Sequence, residues 1–317
     1  MGDRNHSPPL APLRLLAAMI PAEALEYFES NLEQCLLCPR KCGVNRIEGE
    51  TGYCRAGNEI RAASITVHTG EEPPISGTAG SGTVFLSGCS MRCVYCQNYP
   101  ISQMDHGNIM SHEDLAAAML KLESRGAHNI NLVTPTQHLP GIVKAIAAAR
   151  AGGLGLPVVY NTSGYERPET IRMLEGIVDI YLADMRYSDP GVAGRLSDAP
   201  DYPEANRLAI RQMFETAGLL ECDDGIGRRG LIIRHLVLPG GLAGTGNTFE
   251  FIAHEISPEV HLSLMCQYFP ANRAPDTPGL ERRITEAEYR EAIDLLGRYG
   301  LENGWVQDME GESGPVA

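Results

Sequence analysis

The chain has 317 residues and carries 26 Lys and Arg against 40 Asp and Glu, a formal charge of −14. That acidity argues against a nucleic-acid partner, whose phosphates are met by basic patches, and the length suits one large α/β domain with a small appendage or two modest domains. Nine cysteines are the informative excess, and their clustering at C-x2-C and C-x3-C spacing points to metals in a reducing compartment, not to an extracellular disulfide framework.

In chain order, residues 1–9 read as an unstructured start. Leu15, Leu16, Met19, Ile20, Leu25 and Phe28 then recur at roughly helical spacing. The apolar stretch from Leu10 to Ile20 is interrupted by Arg14, runs into Pro21 and is too short to span a bilayer, so neither a secretory signal nor a membrane partner is expected and the protein reads as cytoplasmic. Next comes Cys35-x2-Cys38-x3-Cys42-x11-Cys54, on a Gly-punctuated segment with little apolar material of its own. A metal would hold it together; a tetrahedral zinc and a fully ligated iron–sulfur cluster are both satisfied by four thiolates, and the spacing leaves both open. The Gly- and Pro-rich joint at 70–82 is expected to divide this appendage, residues 1–82, from a unit at 83–308, with 309–317 as a flexible tail.

From residue 83 onward short β-branched runs alternate with longer amphipathic ones. Strands are expected at 83–87, 129–133, 157–160, 178–182, 231–237 and 260–265. Between them fall helices such as His112 to Ser124, capped by Ser111 with Leu115, Met119 and Leu122 on one face. Another is Thr285 to Tyr299, with Glu288 in capping-box register and Tyr289, Ile293 and Leu296 on one face. This alternation predicts an α/β fold, a partial (β/α)6 barrel open on one side.

The first of these strands ends in Ser87-Gly88 and runs at once into Cys89-Ser90-Met91-Arg92-Cys93-Val94-Tyr95-Cys96. Thiolates are the natural ligands of iron–sulfur clusters, and three of them leave the fourth iron of a cubane without a protein ligand. The carboxyl end of a barrel strand is also where barrel enzymes keep their chemistry. A structural zinc would need one more Cys or His from elsewhere.

The string GCSMRCVYCQNYPISQ, with an aromatic residue just before the third cysteine, resembles the signature of the radical S-adenosylmethionine (SAM) superfamily. NTSGYE at 161–166, YLADMRY at 181–187, RHLVLPG at 234–240 and MCQYFPA at 265–271 resemble the branch related to pyruvate formate-lyase activating enzymes. Within it they are similar to a subgroup of largely uncharacterised iron–sulfur proteins, as are CLLCPRKCGVNRIEGETGYC and the closing NGWVQ.

The resemblance implies a [4Fe–4S] cluster on Cys89, Cys93 and Cys96, with the amino and carboxylate groups of SAM on the fourth iron. One electron, from a reductant such as flavodoxin or ferredoxin, then cleaves SAM to methionine and a 5′-deoxyadenosyl radical. That radical takes hydrogen from a protein or peptide, as in activation of a glycyl-radical enzyme. Alternatively it acts on a small molecule or peptide side chain, leading to methylation or epimerisation. A non-catalytic iron–sulfur electron carrier is the reading from another class.

By the same resemblance Tyr95 touches the adenine region through its backbone or ring. The Gly-Gly-Glu element that binds the SAM amino group in many members is here Thr134-Pro135-Thr136-Gln137-His138, with Thr134 or Thr136 as substitutes. Asn161 and Ser163 face the ribose or the methionine moiety, Asp184 the ribose, the ammonium or a substrate, and Arg234 the SAM carboxylate. His138, His235 and Gln267 are expected near the same cavity, while Cys222 and Cys266 read as core residues. No residue stands out as the donor of a second radical.

Overall fold

Each of the β-branched runs from residue 83 onward is a strand in the computed structural model, which describes residues 20–309 and 313–315. The expected unstructured start, the positions Leu15, Leu16 and Met19 of the first helix and most of the expected tail lie outside the described residues. The strands in chain order are β1 (Ile60–His68), β2 (Ser81–Leu86), β3 (Asn108–Met110), β4 (Ile130–Val133), β5 (Val158–Thr162) and β6 (Ile180–Asp184). They continue with β7 (Glu221–Asp223), β8 (Ile226–Leu236), β9 (His261–Met265), β10 (Gly304–Gln307) and β11 (Ser313–Pro315).

They form one sheet in the order β11-β10-β9-β8-β6-β5-β4-β2-β1-β3, with β7 on β8. From β2 through β4, β5, β6, β8 and β9 to β10 every neighbour is parallel. The path has two ends and does not close, so the expected partial barrel is present, lengthened by β10, which the periodicity of the short GWVQ run had not signalled.

Parallel strands buried on both faces read as near-continuous apolar runs, and the two faces separate by alternation. On β6, Tyr181 and Ala183 belong to the main core between sheet and helices. Ile180 and Leu182 turn inward, where they meet Val159, Ile232, Leu220 and Ile75 in the lumen.

Ile75 comes from the joint at 70–82, which is more than a spacer. β1 runs antiparallel to β2, from Ala62 opposite Leu86 to His68 opposite Ser81. The chain is thereby carried to the amino end of the barrel, where the short helix Pro73–Ser76 fills the lumen from below. Asn129 Nδ2 donates to the Ile75 carbonyl at 2.7 Å and fixes that plug. The appendage and the barrel therefore share a sheet.

The helix Ala22–Glu33 starts after Pro21 and buries Ala24 and Phe28. It is tied down by Glu29–Lys144 at 3.0 Å and by Tyr27–Thr170 at 2.7 Å. Helix His112–Ser124 has the expected Ser111 cap, closed into a capping box by Asp114, and helix Glu286–Tyr299 has the Thr285–Glu288 box. Its buried face is Tyr289, Ala292 and Leu296; Ile293, expected there, is exposed, because the spacing from Tyr289 that meets the core is i+3 and not i+4.

Candidate active site

Gly88 opens the loop after β2 with φ +82°, and a Cβ there would sit 2.5 Å from the Cys54 carbonyl oxygen, so glycine is required on two counts. Gly88→Ala should cost about 1–3 kcal/mol of stability and loosen the loop, which thermal unfolding would register as a lowered Tm. Along the loop each thiol has a hydrogen-bond partner. Met91 N–H points at Cys89 Sγ (3.4 Å), Arg186 Nη1 donates to Cys93 Sγ (3.3 Å), and Ser102 Oγ lies 3.2 Å from Cys96 Sγ.

The loop backbone is held in turn. Gln103 Nε2 and Asn272 Nδ2 donate to the Cys93 carbonyl at 3.0 and 3.3 Å. Val94 N–H donates to Leu196 O at 2.9 Å and Arg273 N–H to Val94 O at 2.9 Å. Three sulfurs on one loop, each with a hydrogen-bond partner able to donate to a thiolate, are what a cluster with one open iron asks for. Burial, then the neighbouring Cys93, push the Cys89 thiol up to about 12, so a metal must displace the proton. Among the described residues no three His, Cys, Asp or Glu side chains stand at the spacing of a single bound ion. A cubane, with each thiolate on a different iron, spreads its sulfurs more widely than a single zinc ion does.

From Cys93 a continuous polar path enters the lumen. Arg186 Nη2 donates to Asp184 Oδ2 (2.6 Å), Arg234 Nε to Asp184 Oδ1 (2.8 Å) and Arg234 Nη2 to Asn161 Oδ1 (2.7 Å). Glu71 and Glu72 close on Arg234 from below at 3.5 and 4.0 Å. Register makes this possible: Asp184 on β6 pairs with Arg234 on β8, and Arg234 with Ser263 on β9. Burial works to raise the Asp184 pKa, but Arg234 and Arg186 outweigh it and hold the carboxyl below its ordinary value. Burial raises Glu71 and Glu72 above theirs, with Arg234 opposing.

Sequence reasoning missed Arg186, Glu71 and Glu72. The two glutamates lie in a Gly/Pro-rich stretch that reads as a linker, and the available signal was a pair of adjacent carboxylates running into Pro-Pro-Ile.

The expected SAM contacts are distributed as follows. Asn161, Asp184 and Arg234 meet in the network just described, and Ser163, one residue beyond β5, is buried beside it. Thr134 follows β4 with φ +57°, its N–H on the Asn161 carbonyl at 2.8 Å. The Thr136 hydroxyl is engaged with Glu166 Oε1 at 2.6 Å. The Tyr95 ring is buried and packs edge-on against Tyr187 and Tyr268, which leaves its backbone as the group able to meet a ligand.

Three expectations are corrected. His138 does not present its ring to the cavity: its Nε2 is 2.8 Å from the Ser87 carbonyl, bracing the start of the triad loop. His235, next to the inward Arg234, faces the helices, on Met185 O and Phe249. Cys222 is exposed on β7, whereas Cys266 is buried as expected. Gln267 lies exposed at the end of β9, its carbonyl accepting from Gln97 Nε2 at 3.2 Å.

Glu166 is buried under Thr136, Thr162 and Tyr160. Burial lifts its pKa from 4.5 to about 7, with those hydroxyls opposing. A carboxyl raised on folding holds more protons in the folded than in the unfolded chain, so stability is lost as pH rises between the two values. The slope is at most about 1.4 kcal/mol per pH unit. Glu166→Gln should flatten that part of the stability–pH curve, measured by urea unfolding between pH 4.5 and 7.

A cysteine triad at the carboxyl end of the first parallel strand of an open barrel, linked to a buried polar lumen, defines an iron–sulfur protein of the radical SAM class. The chain belongs to the radical SAM superfamily: the model of that superfamily matches residues 83–187. It is 30% identical over 299 residues to the uncharacterized protein MJ0674 of Methanocaldococcus jannaschii, covering 88% of this chain and 82% of that one. It is 25% identical over 211 residues to MJ0808 of the same organism, covering 61% of this chain and 58% of that one. Among solved structures, HydG, a maturase of the [FeFe]-hydrogenase, aligns with a TM-score of 0.48 at 12% identity over 69% of this chain and 49% of its own. The family's cofactors are a [4Fe–4S] cluster and SAM. Among the described residues no helix is long and apolar enough to cross a membrane.

Proposed function

We propose that the chain binds SAM across the carboxyl ends of its strands, cleaves it reductively and directs the resulting radical at a protein or peptide. The observation that carries this reading is the unbroken path from Cys93 through Arg186 and Asp184 to Arg234 and Asn161. When bound, the cluster supplies the single electron that breaks the carbon–sulfur bond of SAM. The protein's part is to bind and orient. Arg234, Asn161 and Ser163 meet the amino-acid end of SAM, Asp184 takes its ammonium or ribose, Thr134 substitutes for the glycine-rich element, and the Tyr95 backbone meets the adenine.

Charge supports the assignment. The lumen network holds the carboxylates Glu71, Glu72 and Asp184 against the guanidiniums Arg186 and Arg234. The carboxylate excess suits a ligand with a sulfonium and an ammonium group. The plug at Pro73–Ser76 fills the lumen from the amino end, so a substrate approaches from the carboxyl end. The thiol-rich chain fits a reducing cytoplasm with flavodoxin or ferredoxin as the reductant.

The test is anaerobic. Reconstituted protein, reduced with dithionite and given SAM, should release 5′-deoxyadenosine and show a SAM-dependent change in its paramagnetic resonance; an unchanged signal with no nucleoside would leave an iron–sulfur carrier. Supplied with extract from cells grown on deuterated amino acids, it should draw deuterium into 5′-deoxyadenosine from the macromolecular fraction. Transfer from the low-molecular-weight filtrate alone would overturn the peptide substrate.

A further inference from the structure

The guanidinium of Arg46 is almost completely buried, with 3% of its surface exposed. Its Nη1 donates to the Gln137 carbonyl at 2.5 Å, and its Nη2 points at two sulfurs, Cys35 Sγ at 3.0 Å and Cys54 Sγ at 3.8 Å. Among the described residues no carboxylate lies within ion-pair distance of it. A buried cation without a counter-ion is strongly disfavoured, and a neutral thiol is only a weak acceptor. Thiolates would balance the charge, and four cysteines gathered on one short segment become thiolates together when they bind a metal.

The surrounding backbone is shaped for sulfur as well. Tyr53 N–H points at Cys42 Sγ at 3.5 Å, and a Cβ on Gly52 would come within 2.8 Å of that same sulfur.

This module is fastened to the triad loop at two points. Gln137, whose carbonyl takes Arg46, donates through Nε2 to Ser87 O and Gly88 O at 2.9 and 3.1 Å. Arg40, stacked 3.8 Å over the Tyr53 ring, donates through Nε to Ser90 O at 3.0 Å.

We propose that Cys35, Cys38, Cys42 and Cys54 hold a second metal centre, bound by four thiolates with a net charge of −2. Arg46 offsets half of that charge, and the centre braces the loop carrying Cys89, Cys93 and Cys96. A fully ligated [4Fe–4S] cluster and zinc share this charge and ligand set, and zinc would require the four thiols to close in, since among the described residues no such group stands at the spacing of a single ion. The inference stands apart from the SAM reading, because it uses none of the triad thiols.

The experiment removes the triad. A chain with Cys89→Ala, Cys93→Ala and Cys96→Ala is purified anaerobically, offered zinc, and separately offered iron with sulfide, and its metals are measured by mass spectrometry. About one zinc or about four irons per chain should remain, the ratio telling the two centres apart. Adding Arg46→Met, which leaves every thiol in place, should speed loss of the metal to a chelator about tenfold or more, the usual effect of removing a partner of a metal ligand. A folded triple variant that retains neither metal would overturn the centre, and unchanged chelator kinetics in Arg46→Met would overturn the role of Arg46. Should the triple variant fail to fold, Cys42→Ser at the exposed rim of the otherwise intact chain must lower the metal content by that same one zinc or four irons; an unchanged content refutes the proposal.

Discussion

Cys93→Ala should bring SAM cleavage down to background, with Cys89→Ala and Cys96→Ala behaving alike. Two remaining thiols cannot carry a cluster with a single open iron, so the iron of the triad site is lost and not merely rearranged. Of the three sulfurs Cys93 is the one joined to the lumen, through Arg186 to Asp184. Arg186→Met separates assembly from tuning, since it spares all three thiols. A guanidinium beside a thiolate ligand favours the reduced, more negative state. Its loss should leave iron content unchanged while lowering the midpoint potential, by about 59 mV for each tenfold change in a one-electron equilibrium. Circular dichroism establishes that the variants fold, and full release of 5′-deoxyadenosine by folded Cys93→Ala would sink the assignment of the triad.

The difference between what was legible in the sequence and what was not follows from locality. The triad is written within one loop, and the strands around it are β-branched runs whose burial on both faces gives them a plain apolar signature. Capped helices such as His112–Ser124 are equally local: the Ser111 hydroxyl and the Asp114 carboxylate are neighbours in sequence before they are neighbours in space. β1 was missed because Ile60–His68 carries Arg61, Ala62, Ala63 and Ser64 where a buried strand would carry branched side chains, and it is a strand by virtue of pairing with β2. The lumen network is further from view. Glu71, Asn161, Asp184 and Arg234 come from separate elements, and their partners are set by the register of the sheet and the return of the chain at Glu71 alone. Polar residues at strand ends pointed to Asn161, Asp184 and Arg234, whereas the only local mark of Glu71 and Glu72 is a carboxylate pair running into Pro-Pro-Ile inside a linker-like stretch. The Cys35–Cys54 segment shows the same division: four thiols are evident from spacing, whereas the buried Arg46 between two of them is evident only after folding.

Arg234→Met should destabilise the fold by about 3–5 kcal/mol, the usual consequence of removing one partner from a buried ionic cluster. Arg234 touches Asp184, Glu71 and Glu72 with 16% of its side chain exposed, so methionine leaves three carboxyl groups facing one another with only Arg186 nearby. Burial already lifts Glu71 and Glu72, and losing Arg234 lifts them further. The sign of the pH dependence follows. These acids bind protons more tightly folded than unfolded, so the variant loses stability as pH rises from the unfolded carboxyl range through the raised folded values, and acid partly rescues it. Adding Glu72→Gln removes one uncompensated charge and should recover part of the loss in chemical denaturation. That double variant also decides what Arg234 contributes to SAM. If its guanidinium meets the SAM carboxylate, equilibrium dialysis of the restabilised protein will still show SAM affinity reduced tenfold or more, the order of about 1.4 kcal/mol. If it serves only as the counter-ion of the lumen carboxylates, affinity returns together with stability, and the SAM carboxylate must be held by another cation, with Arg186 the one already placed between the triad and the lumen.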